Sequence, residues 1–263
     1  MSTNDESQKP DKKVKDKKTK QKANYVIFPL WLLEGANVVN IHEIAFKIFC
    51  FAVYPHAKKL GFGTLERRIA SASTYYGFHL GEFDRRAYKI RDVGEILFNN
   101  LKPGYPMASI PANKLIEYIN FNEDAYFEKN ELEVISFLAY CSLRSIVGKE
   151  LTRKTYIIVM VARMAGNYKT PNENELPDFL KKYLRRRQFD KLKWELKQNW
   201  GVKFYAKNSK GFYVSFDLEI KTFIKTIEKN RKHILLSQDR KAESEAREQA
   251  LKELDNTSDE PTK

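Results

Sequence analysis

Two cysteines in 263 residues, Cys50 and Cys141, cannot build a disulfide framework. Both fall inside apolar helical patterns, which predicts buried, reduced thiols. Two cysteines without a nearby histidine pair also argue against zinc. Histidine is scarce as well: His42, His56, His79 and His233 never form an H-x-H pair. A metal-dependent rolling-circle nickase wants that pair near its tyrosine, so the adjacent Tyr75 and Tyr76 read as one buried and one exposed helical residue. The "GFG" at 61–63 is not followed by G-K-[ST], which excludes a Walker A loop, and no G-x-S-x-G occurs. Apolar runs are short. "IIVMVA" at 157–162 falls far below the ~18–20 residues of a membrane span, and the first residues carry no apolar signal region. These absences lead us to expect a cytoplasmic protein with no membrane partner, no metal, no cofactor and no catalytic residues.

What the chain has is positive charge and aromatic rings. Lys and Arg number 47 against 34 acids, a net +13, with 17 Phe and 14 Tyr. The rings supply a sizeable core. The charge calls for a polyanionic partner, and nucleic acid is the commonest for a chain this basic, because bound Lys and Arg release counterions condensed on phosphates. An anionic membrane surface, or solubility alone, is the alternative explanation. Residues 1–24 carry eight lysines and four acids and read as an unfolded basic arm, either on a nucleic-acid backbone or as a solubilising tail.

The folded part is expected to start at "NYVIFPLWLLEG". A helical stripe follows at Ile41, Ile44, Ala45, Ile48, Phe49 and Ala52, ended by Gly61 and Gly63. Thr64 is placed to cap a second helix, "TLERRIASASTYYG", and "EFDRRAYKIRDVG" forms a third that ends at Gly94. "EILFNN" and "YPMASI" then read as a hairpin around "LKPG". In the second half "NELEVISFLAYCSLRSIVG", "LTRKTYIIVMVARMAG" and "LPDFLKKYL" are helical in pattern. The stretch "LRRRQFDKLKWELKQNWGVKFYAKNSKGFYVSF" reads as a helix followed by a hairpin. Its alternation puts Val202 and Phe204 on one face, opposite Phe212, Val214 and Phe216. Helices followed by a hairpin give the order of a winged helix. The two halves also look like a diverged repeat, with Cys50 over Cys141, Asp84 over Asp190 and Gly94 over Gly201. The predicted fold class is mainly α with short β-hairpins (α+β). It comprises a disordered arm at 1–24, winged-helix-like domains at 25–115 and 116–217, and a C-terminal helix with a charged tail at 218–263.

At ~100° per residue, the helix from Arg187 to Trp200 should bury Phe189, Leu192, Leu196 and Trp200. Its opposite side carries Arg187, Lys191, Trp194 and Gln198. Arg, Lys and Gln can bond base edges or phosphates, and an indole can pack on a sugar or a thymine methyl. The same wheel on Glu82–Val93 buries Phe83, Ala87 and Ile90 and turns Arg85, Tyr88, Lys89 and Asp92 outward. The two helices thus show a cation, an aromatic and a polar group in one order. From Asp178 to Lys210 there are eleven bases and three acids. Arg185 and Arg186 fall at the turn, and Lys207, Asn208 and Lys210 at the hairpin tip, where a helix in a major groove with a wing on the backbone would use them on phosphates. The alternative is that Trp194 and Tyr88 belong to a domain interface and the charges form a solvated face.

The segments "TLERRIASASTYYGFHLGEFDRRAYKIRDVGEIL" and "LPDFLKKYLRRRQFDKLKWELKQNWGVKFYAKNSKGFYVSF" give the chain a layout that resembles tandem winged-helix plasmid replication initiators of the iteron-binding type. The resemblance is architectural and covers about residues 25–220. It implies that the second winged helix supplies major-groove contact with an origin repeat, through Arg187, Lys191, Trp194 and Gln198 on bases and Arg185, Arg186, Lys207 and Lys210 on phosphates. It also implies that the first shares DNA contact and homodimerisation, and that a helical segment recruits replication proteins. The leading expectation is therefore a sequence-specific double-stranded DNA-binding protein, a plasmid- or phage-type replication initiator. A winged-helix transcription regulator is the alternative. A non-enzymatic adaptor that binds acidic protein surfaces, working through the 218–254 helix, is a further one.

Overall fold

The computed structural model describes residues 24–81, 84–119, 129–169, 173–206 and 211–257. The described chain is mainly helical with two small antiparallel sheets, an α+β fold. It opens with strand β1 (Tyr25–Pro29) and a short 3-10 turn over Leu30–Leu33. Helices α1 (Ile41–Lys59), α2 (Leu65–Tyr75) and α3 (Arg86–Asn99) follow. Thr64 caps α2 as its sequence predicts, accepting from the Arg67 N–H. Strand β2 (Met107–Pro111) and the single turn α4 (Ala112–Ile116) complete the first half.

Two sequence expectations fail here. "EILFNN" is not a strand but the last turns of α3. The apolar positions Ala87, Ile90, Val93, Gly94 and Leu97 continue one helical stripe toward α1, so the helix does not stop at Gly94. Gly94 is needed because α1 runs against it: a Cβ there would lie 2.6 Å from Tyr54 Cβ and 2.7 Å from the Cys50 carbonyl oxygen. With the hairpin's first strand consumed by helix, β2 pairs instead with β1, Val26 opposite Ile110 and Phe28 opposite Ala108. The sheet of the first half therefore closes on the start of the folded chain.

The second half is built around α5 (Glu131–Val147). Asn130 and Glu133 form a reciprocal capping box at its start. This helix is buried nearly all round, as its apolar sequence requires. One flank packs on β2; others meet α6 and α8 of its own half. Strand β3 (Arg153–Thr155) then precedes α6 (Ile157–Met164), so the continuous helix expected over 152–165 is corrected to a strand and a shorter helix. Thr155 is β-branched and buried, and it pairs with Phe212 while Arg153 and Lys154 stay in solvent. The turn α7 (Asp178–Lys181) and a 3-10 turn over Lys182–Leu184 lead into α8 (Arg186–Trp200). Strands β4 (Lys203–Tyr205) and β5 (Phe212–Ser215) add to β3 in the order β3-β5-β4. Phe204 faces Val214, as alternation predicts.

One buried cluster runs without a break from Val26 to Val214, so the two halves share a core. Trp200 pins α8 to α5: its ring lies 4.6 Å from that of Tyr140, and its indole N–H donates to Ser136 Oγ at 3.0 Å. Arg144 stacks between Tyr25 and Phe216, with ring centroids at 4.7 and 4.4 Å, and ties β1 to the end of β5. Cys50 and Cys141 are both buried free thiols, with burial raising the pKa of each. Helix α9 (Ile220–Thr257) docks its first turns through Phe223 and Ile227. The Tyr205 hydroxyl donates to Glu228. Farther along the helix, Ile234 and Leu236 are exposed.

Candidate nucleic-acid interface

Helix α8 owes its position to its apolar side. Phe189, Leu192 and Leu196 are buried and Trp200 half-buried. Gly201 ends it in the left-handed conformation at φ 65°, with its N–H bonded to the Leu196 carbonyl. The Val202 N–H shares that acceptor, which aims the chain into β4. The opposite side is then forced outward. Arg187, Lys191, Trp194 and Gln198 are all exposed, Trp194 to 61%. A large indole in solvent is uncommon for a residue that usually buries most of its surface. Among the described residues, no interface between the two halves takes it up.

Arg185 and Arg186 are exposed where the helix begins, Arg185 as the extended residue before its first turn. Three consecutive arginines here oppose the helix macrodipole, whose amino end is positive, and no acid occupies the first turn. They make poor helix-stabilising choices and good anion contacts, since the first N–H groups of α8 point the same way. Lys207, Asn208 and Lys210 lie outside the described residues, as do residues 1–23 of the basic arm.

An open hollow of about 710 Å³ lies against this face, lined by Leu132, Arg186, Arg187, Asp190, Lys191 and Trp194. Leu132 comes from the first turn of α5, held close by an ion pair between Glu131 and Lys182. Sequence reading passed over Leu132 because nothing in its own helix marks it. It also passed over Asp190, although the four-residue spacing to Arg186 and Trp194 puts all three on neighbouring positions of one helix surface. Asp190 bonds Lys193 at 2.6 Å and lies 3.8 Å from Arg186. The Lys193 hydrogen bond holds its carboxyl below the usual carboxylate range.

On α3, Ala87 and Ile90 are buried as predicted; Glu82 and Phe83 lie outside the described residues. Arg85, Tyr88, Lys89 and Asp92 are exposed. Their setting differs from that of α8. Lys89 lies 5.5 Å over the Phe46 ring, and Arg91 stacks on Tyr88 while bonding both Glu66 and Asp92. The charge of Arg91 is thus answered by carboxylates within the protein, and Lys89 leans on an aromatic ring.

Among the described residues no group of three or more His, Cys, Asp or Glu side chains is placed to hold a metal ion, and no helix is long and apolar enough to cross a membrane. No protein-family model matches the sequence. Neither a curated protein nor a solved structure gives a match.

Proposed function

We propose that the chain binds double-stranded DNA in a sequence-dependent way, with α8 in the major groove and the segment between β4 and β5 on the flanking backbone. The observation that carries this reading is the outward stripe of Arg187, Lys191, Trp194 and Gln198 beside a cluster of arginines set against the helix dipole. Further support is the order of elements. Helix α5, strand β3, helices α6 to α8, then strands β4 and β5 in a sheet ordered β3-β5-β4, support a winged-helix reading, in which the last helix before the strand pair enters the groove. A second winged helix in the first half rests on α1 to α3 and has less behind it, because its hairpin is replaced by the β1–β2 pair. The role as a plasmid- or phage-type replication initiator rests on the tandem layout. A homodimer and replication-protein partners come with that role.

The test is equilibrium binding of the full chain to labelled duplexes between 50 and 200 mM salt, after enrichment of a preferred site from randomised DNA. Lys191→Ala and Trp194→Ala should weaken the preferred site by about 1–3 kcal/mol and leave the circular dichroism unchanged. Arg185→Ala with Arg186→Ala should weaken all duplexes alike and flatten the salt dependence. Retention of structured RNA in preference to duplex DNA, or of neither, sinks the reading; the latter result leaves an adaptor working through α9. An enriched site made of direct repeats favours the initiator, and an inverted repeat the regulator.

A further inference from the structure

The hollow beside Trp194 contains a carboxylate that a phosphate-binding surface has no use for. Asp190 is half exposed and is the one exposed acid of α8; the other, Glu195, is buried and hydrogen-bonded by Asn199. Asp190 shares the hollow with Arg186, Arg187 and Lys191. Its lysine partner, Lys193, lies toward the buried side, with its ammonium 5.0 Å over the Phe189 ring. An ionised carboxylate only accepts hydrogen bonds. Facing a duplex, it is repelled by phosphates and by every acceptor on a base edge, and the exocyclic amino groups are the base-edge donors left for the lone pairs that Lys193 does not use.

Resting on the duplex reading above, we propose that Asp190 is a specificity-determining residue that takes the N4 amino group of a cytosine in the major groove. Adenine also offers an amino group, but its N7 acceptor stands beside it and repels the second carboxylate oxygen. Cytosine presents a C5–H there instead. The paired guanine shows two acceptors, O6 and N7, which suit the guanidinium of Arg187 or the ammonium of Lys191. The mixed charge of the hollow therefore matches one C·G pair, with the Trp194 indole packed beside it.

Enrichment of randomised duplexes by the wild type and by Asp190→Asn, Asp190→Glu and Asp190→Ala tests this, read as base frequency at each position of the site. The wild type should select cytosine at one position by about tenfold. Asp190→Glu should keep that choice. Asp190→Asn should move it toward adenine, whose N6 and N7 an amide can bond together, and Asp190→Ala should flatten that column alone. If all four proteins select the same site, and Asp190→Ala only lowers the thermal midpoint, Asp190 is a helix-stabilising partner of Lys193 and the proposal is wrong while duplex binding stands. If the wild type enriches no duplex, the duplex reading falls and this one falls with it.

Discussion

Helices α3 and α8 present a cation, an aromatic ring and a polar group in the same order, yet the surfaces they make are not alike. On α8 the exposed cations outnumber their internal partners, and a strand pair starts after a link of two residues. On α3 the cations are drawn into contacts with Glu66, Asp92 and Phe46, and the helix runs on past the point where a matching hairpin would start. The two glycines that align in sequence mark the divergence. Gly201 is a left-handed terminator with open space around it, whereas Gly94 is a mid-helix contact pressed against α1. A shared order of residue types fixes which groups a helix can show; the neighbours decide whether those groups remain available.

The comparison breaks most sharply at the core. Ile90→Ala in α3 and Leu192→Ala in α8 each remove a fully buried side chain and should lower stability by about 2–5 kcal/mol. Because the buried cluster spans both halves, urea unfolding followed by tryptophan fluorescence and by circular dichroism should give one coincident transition in each variant. Two separated transitions would show that the halves fold independently and that the shared core is not cooperative.

Next come the glycines. Gly94→Ala forces α1 and α3 apart and should lose about 1–3 kcal/mol by overpacking. Gly201→Ala meets no atom and should lose about 1 kcal/mol through its backbone conformation alone. Equal losses would remove the distinction between contact and terminator. In binding, Arg85→Ala and Tyr88→Ala should weaken duplex affinity by no more than about 1 kcal/mol, less than Lys191→Ala or Trp194→Ala. The reverse ranking would make α3 the principal reader.

The smallest difference concerns pH. Asp84 is held below the usual carboxylate range by its hydrogen bond to Arg86, and Asp190 by that to Lys193. A carboxyl group whose folded pKa is depressed adds stability above its unfolded value, near 3.9, and loses it as pH falls through the folded value. The urea midpoint should thus drop as pH falls below about 4. Asp84→Asn should blunt that drop more than Asp190→Asn, since the Asp84 side chain is 14% exposed and that of Asp190 is 50% exposed.

Much of the fold was readable because burial follows period. The stripes of α1 and α8, the Thr64 cap and the facing of Phe204 and Val214 all follow from local spacing and turn chemistry. The outward set on α8 was readable for the same reason: once Phe189, Leu192 and Leu196 are committed to the core, helical geometry leaves Arg187, Lys191, Trp194 and Gln198 no other side. Strand pairing was not readable in this way. Whether "EILFNN" is strand or helix depends on α1 lying beside Gly94, and whether Met107–Pro111 finds a partner depends on a segment some eighty residues earlier. Arg153–Thr155 becomes a strand only because β5 presents an edge to it. The hollow at Trp194 also needed the fold, since Leu132 reaches it from a different helix. The sequence by itself determined which side of each helix is apolar, because that depends on residues within a few turns of one another. Only the tertiary structure decided the sheet partners, the long α3 and the walls of the hollow, because those rest on contacts between segments far apart in the chain.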